Sequence, residues 1–243
     1  PFWSQHTITL VLILKNSRFC TANEKNSRLS FDLPGHFLSQ FDDLFQIFIL
    51  RRTIDIDGTV TCPSSLIPHI NEAFGSELTI EDIREYDLTA ALPQLDKKEF
   101  YSWFKKHEPK IYASSPISKD AKQIINNWKN QYELYFISAR GDNVRNVTFD
   151  WFEEHVIAYD HIELIGTHKK ISTAKAHQVD LFFEDKHDNA VEISEELDIP
   201  VILFDTPYNR EPVPNKVVRV YDWLEAEQWV KKEFGVQQEV LKG

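Results

Sequence analysis

Methionine is absent from the 243 residues, and cysteine occurs only at Cys20 and Cys62. So few thiols exclude a disulfide framework and make a reducing cytoplasm the expected setting. Basic residues are in deficit: 27 Lys and Arg stand against 38 Asp and Glu, a net charge of −11. Proteins that coat nucleic-acid backbones need a basic face, so a nucleic-acid polymer is excluded as a partner. A mononucleotide is not excluded, because a metal and one lysine can meet its phosphate. Long apolar runs are missing as well. The longest, 8–14 and 45–50, are interrupted by Thr9 and Gln46, and a membrane-spanning helix needs about 20 residues. No membrane partner is expected. Residues 1–6 contain no Lys or Arg, where a secretory leader would carry its basic start.

What is present suits a globular protein. Hydrophobic residues make up 42% of the chain, with 17 Phe, 8 Tyr and 6 Trp, enough apolar surface for a substantial core. The length fits one large domain, or a core domain carrying an insertion. Residues 1–50 mix an apolar patch with a polar stretch at 15–30 and show no clear periodicity. They are set apart as an N-terminal segment without assigned function, and a homodimer is left open.

The chain is organised around Asp55-Ile56-Asp57-Gly58-Thr59. Carboxylates at i and i+2 of a strand point to one face, and Gly58 allows a tight turn where the strand ends. Such a pair can hold a divalent cation while one member attacks phosphorus and the other handles protons. Taken alone, the pentapeptide reads equally well as a strand ending in an acidic turn.

Residues further along break the tie. Residues 61–131 show helical signals and no β-alternation, which predicts a helical cap inserted between two strands. Ser118 is expected to cap a helix over 119–130, with Ala121, Ile124, Ile125 and Trp128 on one face. Glu99 to His107 is expected as another helix, opened by Asp96. From Tyr132 the pattern turns to short strands, at 134–138, 162–165, 181–183 and 201–204, alternating with helices. That alternation predicts an α/β fold, a Rossmann-like doubly wound parallel sheet. Ligands then bind at the carboxyl ends of the strands. The core is expected over 51–60 and 132–234, the cap over 61–131, and a tail over 235–243.

Each strand end delivers a polar group. The first delivers Asp55 and Asp57, the second Ser138 with Arg140 behind it, and the third Lys169 and Lys170 at a helix start. The fourth delivers Glu184 and Asp185, followed by Asp188 and Asn189. A hydroxyl, a lysine and two acidic pairs make a site for Mg²⁺-assisted phosphoryl transfer. Each group alone has a structural explanation, as a turn residue, a solvated lysine or an acid at a helix start; four in this order point to function. The aromatics Tyr86, Phe100, Trp103 and Phe104 of the cap read as core before they read as a base-stacking surface. Arg210 reads equally as a phosphate ligand or a surface ion pair.

This order resembles the haloacid-dehalogenase superfamily of aspartate-nucleophile phosphatases. Within it, 55–234 is similar to the 5′(3′)-deoxyribonucleotidase (type C) family, through 56–63, 135–141, 182–190 and 202–210. The resemblance implies that Asp55 is the nucleophile and that Asp57 is the acid and base, its carbonyl on Mg²⁺. It implies that Ser138 and Lys170, or Lys169, bind phosphoryl oxygens, that Thr59 and Arg140 assist substrate binding, and that Asp185 with Glu184 serves the metal. The implied substrate is a small phosphomonoester, a nucleoside monophosphate first. A sugar-phosphate phosphatase and a non-catalytic phosphate-binding module are the alternatives. Two features depart from the family pattern: fifty residues precede the first motif, and Arg51, Arg52 and Thr53 interrupt the apolar run of the first strand.

Overall fold

The computed structural model describes residues 50–234 and two short strands nearer the start. Those strands, β1 (Cys20–Ala22) and β2 (Leu29–Phe31), pair antiparallel with Cys20 opposite Phe31. They belong to a compact unit, Pro1–Phe48, distinct from the unit Ile49–Gly243. The remaining expectations for 1–49 and 235–243 lie outside the described residues.

Among the described residues, the larger unit holds one sheet. Its strands are β3 (Arg51–Ile54), β4 (Glu133–Ser138), β5 (His161–Leu164), β6 (Leu181–Glu184), β7 (Val201–Phe204) and β8 (Val217–Val220). All neighbours are parallel, in the order β5-β4-β3-β6-β7-β8. The chain runs outward from β3 to β5, then crosses back to β6 on the other side of β3. A crevice opens at that reversal, beyond the carboxyl ends of β3 and β6.

Alternation along the buried strands supplies two apolar faces. Ile54, Phe136, Phe183 and Ile202 pack under α3 (Ala121–Trp128), α4 (Arg145–Glu154) and α7 (Trp223–Phe234). Ile137, Phe182, Val201 and Leu203 pack under α5 (Ile171–Ala176) and α6 (His187–Leu197). The sheet is thus doubly wound, as the alternating pattern predicts. β8 has no counterpart among the expected strands, because Arg219 breaks its short apolar run.

The two arginines of β3 are accommodated differently. Arg51 directs its guanidinium to Glu133 and to the carbonyl of His177. Arg52 is buried, with its guanidinium carbon 3.2 Å from the Tyr132 ring centroid and 4.5 Å from that of Trp128. Its three guanidinium nitrogens make no hydrogen bond, and burial pulls its pKa down to about 10.

Between β3 and β4 lies the helical insert, with α1 (Ile67–Phe74) and α2 (Lys97–Ala113) joined by short 3-10 turns. Its two ends are tied together: the Cys62 amide donates to the Pro116 carbonyl, and the Ser118 amide to the Val60 carbonyl, both at 2.8 Å. Ile70, Leu92 and Phe100 form its small core, with Phe74 and Trp103 against them. Helix α2 opens at Asp96, whose carboxylate accepts from the Lys98 and Glu99 amides. It runs past the expected end at His107 and through Pro109. Ile111 and Tyr112, buried beyond the proline against Val144, supply the packing that carries it on. Helix α3 starts after Asp120 in a left-handed conformation, without the expected Ser118 side-chain cap. Its apolar face, Ala121, Ile124, Ile125 and Trp128, belongs to the core of the sheet.

Candidate active site

The site begins where β3 ends. The Asp55 amide still pairs with the Phe183 carbonyl at 2.9 Å, which fixes the backbone of Asp55 beside β6. A tight loop follows, closed by the Thr61 amide donating to the Ile56 carbonyl at 2.9 Å. Within it Gly58 has φ +76°, a conformation that favours glycine. A Cβ at Gly58 would fall 2.2 Å from Asp185 Oδ2, so the acidic group is built against the bare backbone.

Lys170 ties the two strand ends together. Its Nζ lies 2.8 Å from Asp55 Oδ1 and 2.9 Å from Glu184 Oε2, and the lysine is 1% exposed. The second oxygen of Glu184 accepts from Asn189 Nδ2 at 2.6 Å, so both Glu184 oxygens are taken by protein donors. Asp185 differs. The Tyr208 hydroxyl donates to its Oδ2 at 2.6 Å, while its buried Oδ1 has no hydrogen-bond partner. Asn209 Nδ2 holds the loop beneath, donating to the carbonyls of Asp185 and Phe204.

Asp55, Glu184 and Asp185 bring carboxylate oxygens within 4.8 Å of one another. Burial raises Asp55 well above the usual carboxylate range; Lys170 opposes this, and Glu184 and Asp185 add to it. Burial and the Glu184 carboxylate push Asp185 up to about 7. Burial lowers Lys170, but Asp55 and Glu184 outweigh it and hold the ammonium above its ordinary value. Three buried carboxylates around one ammonium, with Asp185 Oδ1 lacking a hydrogen-bond partner, make an all-oxygen donor set that suits a hard divalent cation.

The other expected site residues fall as follows. Ser138 is buried at the end of β4, and its hydroxyl accepts from the Arg140 amide at 3.2 Å. Thr59 is buried with its hydroxyl unpartnered, and its carbonyl accepts from Trp223 Nε1. Lys169 is exposed, whereas Lys170 is inside the cluster. Arg140 forks onto Asp57, with Nε to Oδ2 at 2.9 Å and Nη2 to Oδ1 at 2.7 Å. Asn189 joins the cluster; Asp188 is exposed beside His187. Arg210 pairs with Asp205, away from the acidic group.

Sequence reasoning assigns no site role to Tyr208, although it lies in the family-like stretch 202–210, and reads Tyr86 as core before base-stacking surface. Tyr86 comes from the insert, where no strand end marks it. Its ring stands edge-on to His168 and Tyr208, with centroids 5.5 and 5.9 Å apart, and Lys186 Nζ is 4.6 Å from its centroid. Its neighbour Tyr208 bonds Asp185, and burial with the Asp185 and Asp55 carboxylates raises the Tyr86 hydroxyl. Phe100 and Trp103, by contrast, are core of the insert.

Comparison with known proteins matches this architecture. The sequence profile of the family described as 5′ nucleotidase, deoxy (pyrimidine), cytosolic type C protein fits residues 50–234. The chain belongs to this family. A candidate nucleotidase of Halalkalibacterium halodurans is 48% identical over 180 residues, covering 74% of this chain and 92% of its own. A nucleotidase of Clostridium acetobutylicum is 32% identical over 176 residues, covering 72% and 91%. Among solved structures, a haloacid-dehalogenase-like hydrolase of Streptococcus pneumoniae superposes with a TM-score of 0.54 at 14% identity, covering 74% of this chain and 98% of its own. A further hydrolase of that kind from Bacillus subtilis gives 0.53 at 10%, covering 75% and 99%. These two carry the fold: a Rossmann-like haloacid-dehalogenase core. The type C family makes the chain a hydrolase of the phosphatase and nucleotidase class, with a small phosphomonoester as its kind of substrate. Among the described residues, no helix is long and apolar enough to cross a membrane.

Proposed function

We propose that this chain is a Mg²⁺-dependent 5′-nucleotidase working through an aspartyl-phosphate on Asp55. The Asp55 carboxylate attacks phosphorus, and the bond to the leaving nucleoside oxygen breaks as Asp57 protonates that oxygen. Asp57 then takes a proton from water, the water oxygen attacks the acyl phosphate, and phosphate leaves with Asp55 restored. Ser138 and Lys170 hold the phosphoryl oxygens, and Thr59 lies in the same loop as the two aspartates. A magnesium ion held by Asp55, the Asp57 carbonyl and Asp185 would neutralise charge on the transferring group. Glu184 keeps Lys170 in place.

The buried cluster supports this reading: one ammonium bridges Asp55 and Glu184, and Asp185 keeps an unpartnered oxygen in the same group. The core comprises 51–60 and 132–234, and the insert 61–131, with α3 packed on the sheet. Tyr86 of the insert, 40% exposed, stands against Tyr208, which bonds Asp185, and so offers a ring at the edge of the acidic cluster. A flat nucleobase suits such a surface. Cys62 is a free thiol, which fits a cytoplasmic setting.

The test is phosphate release from deoxynucleoside monophosphates, ribonucleoside monophosphates and sugar phosphates, each with Mg²⁺ and with EDTA. Metal-dependent release favouring nucleotides is expected. Release from sugar phosphates alone would leave the chemistry and overturn the substrate.

A further inference from the structure

Arg140 directs its donors at Asp57 and not at the cluster of Asp55, Glu184 and Asp185. Its side chain is fully enclosed, whereas that of Asp57 remains 37% exposed. Two donors form the fork on the Asp57 carboxylate, at 2.9 and 2.7 Å. A third, Nη1, donates to Thr148 Oγ1 at 3.2 Å, and Thr148 in turn donates to the Val144 carbonyl. The Tyr112 ring of α2 covers the guanidinium, 3.9 Å from its carbon to the ring centroid. Three elements thus converge on one side chain: the loop after β3, helix α4 and the insert.

The insert is pinned at the same place. Asn143, three residues after Arg140, donates to Glu108 of α2 at 2.9 Å and accepts from Lys105 at 3.1 Å. Ile111 and Tyr112 pack on Val144 beside it. A planar guanidinium held along its edges and on a face has little freedom, and a bidentate fork passes that rigidity to its carboxylate.

We propose that Arg140 is a positioning residue for Asp57 and not a phosphate ligand, with Tyr112 of the insert completing its clamp. The fork holds the back of the Asp57 carboxylate and leaves the exposed side free for the proton transfers. A group that performs acid and base steps at two different oxygens gains from such fixed orientation. This inference rests on the phosphatase reading of the site.

The test measures kcat and KM separately for Arg140→Ala and Arg140→Lys, with and without added guanidinium ion. Thermal unfolding confirms that each variant folds; the lysine variant keeps the buried charge if the alanine variant does not fold. A loss of kcat by about 10²–10³-fold with KM changed less than about threefold is expected, as for removal of acid–base assistance. Guanidinium should restore part of that kcat in Arg140→Ala, and none in the Asp57→Asn/Arg140→Ala double variant. A rise in KM at unchanged kcat would overturn the inference in favour of phosphate binding. Loss of kcat without rescue, in a folded alanine variant, would overturn it as well. Should wild-type protein release no phosphate from any ester, the phosphatase reading fails first and this one with it.

Discussion

Gly58 carries a constraint that no neighbouring residue relieves. Its φ is +76°, and a methyl group there would sit 2.2 Å from Asp185 Oδ2 and 3.2 Å from the Tyr208 hydroxyl. Gly58→Ala is therefore expected to displace Asp185 and lower phosphate release by about 10²-fold, the scale of a 1 Å misplacement in a catalytic site. An unchanged rate would show that the loop and Asp185 are not built against each other. Asp185 itself carries a pH signature. Its folded pKa, about 7, lies above the ordinary carboxylate value of 3.8, so the folded chain binds its proton more tightly than the unfolded one. Metal-free stability from this group is then lost as pH rises from about 4 to about 7. In denaturant titrations with EDTA, Asp185→Asn should gain on the wild type across that window; a constant difference would contradict the assignment. At this scale much was legible in advance. Asp55 and Asp57 declare themselves through a two-residue spacing before a glycine, and Glu184 and Asp185 through their place after an apolar strand. Lys170 could not be told from Lys169, because the choice depends on how the turn before α5 presents two adjacent side chains. Tyr208, 23 residues after the aspartate it bonds, leaves no local trace.

At the scale of elements, β3 runs against the usual composition of a central strand. Arg52 sits between β4 and β6 with no hydrogen bond to its guanidinium, compensated only by the Tyr132 and Trp128 rings. Burying a charge costs several kcal/mol, and contact with aromatic faces returns only part of it. Arg52→Met keeps the packing volume and removes the charge. The variant is expected to match the wild type in stability or exceed it by about 1–2 kcal/mol. A loss above about 2 kcal/mol in denaturant unfolding would show that the aromatic contacts outweigh the cost of burial. The apolar runs of the strands on either side, from Leu134 to Ile137 in β4 and from Leu181 to Phe183 in β6, were readable because both faces of the sheet are apolar. β8 was not, since Arg219 interrupts its pattern and one flank is an edge. Helix α2 was readable at its start, where Asp96 caps it, but not at its end. Pro109 is a local stop signal that Ile111 and Tyr112 override through tertiary packing.

For the whole molecule, the net charge of −11 sets the electrostatic problem. An anionic phosphomonoester approaches a protein of the same sign, toward three carboxylates within 4.8 Å of one another. Lys170 alone does not balance them, and a bound divalent cation would. The doubly wound sheet gathers these groups because β3 and β6, distant in sequence, lie side by side at its reversal. The insert leaves the sheet beside them and brings Tyr86 and Tyr112 back over the same crevice. If phosphate passes through Asp55, it can be trapped there. Asp57→Asn protein, mixed with Mg²⁺ and a phosphomonoester with a good leaving group, is quenched in acid and its peptides are weighed. One phosphoryl group on the peptide containing Asp55 is expected, absent when Asp55 is also changed to Asn. Phosphate release by the wild type, with no phosphoryl group on Asp55 in the trapped protein, would rule out Asp55 as the nucleophile.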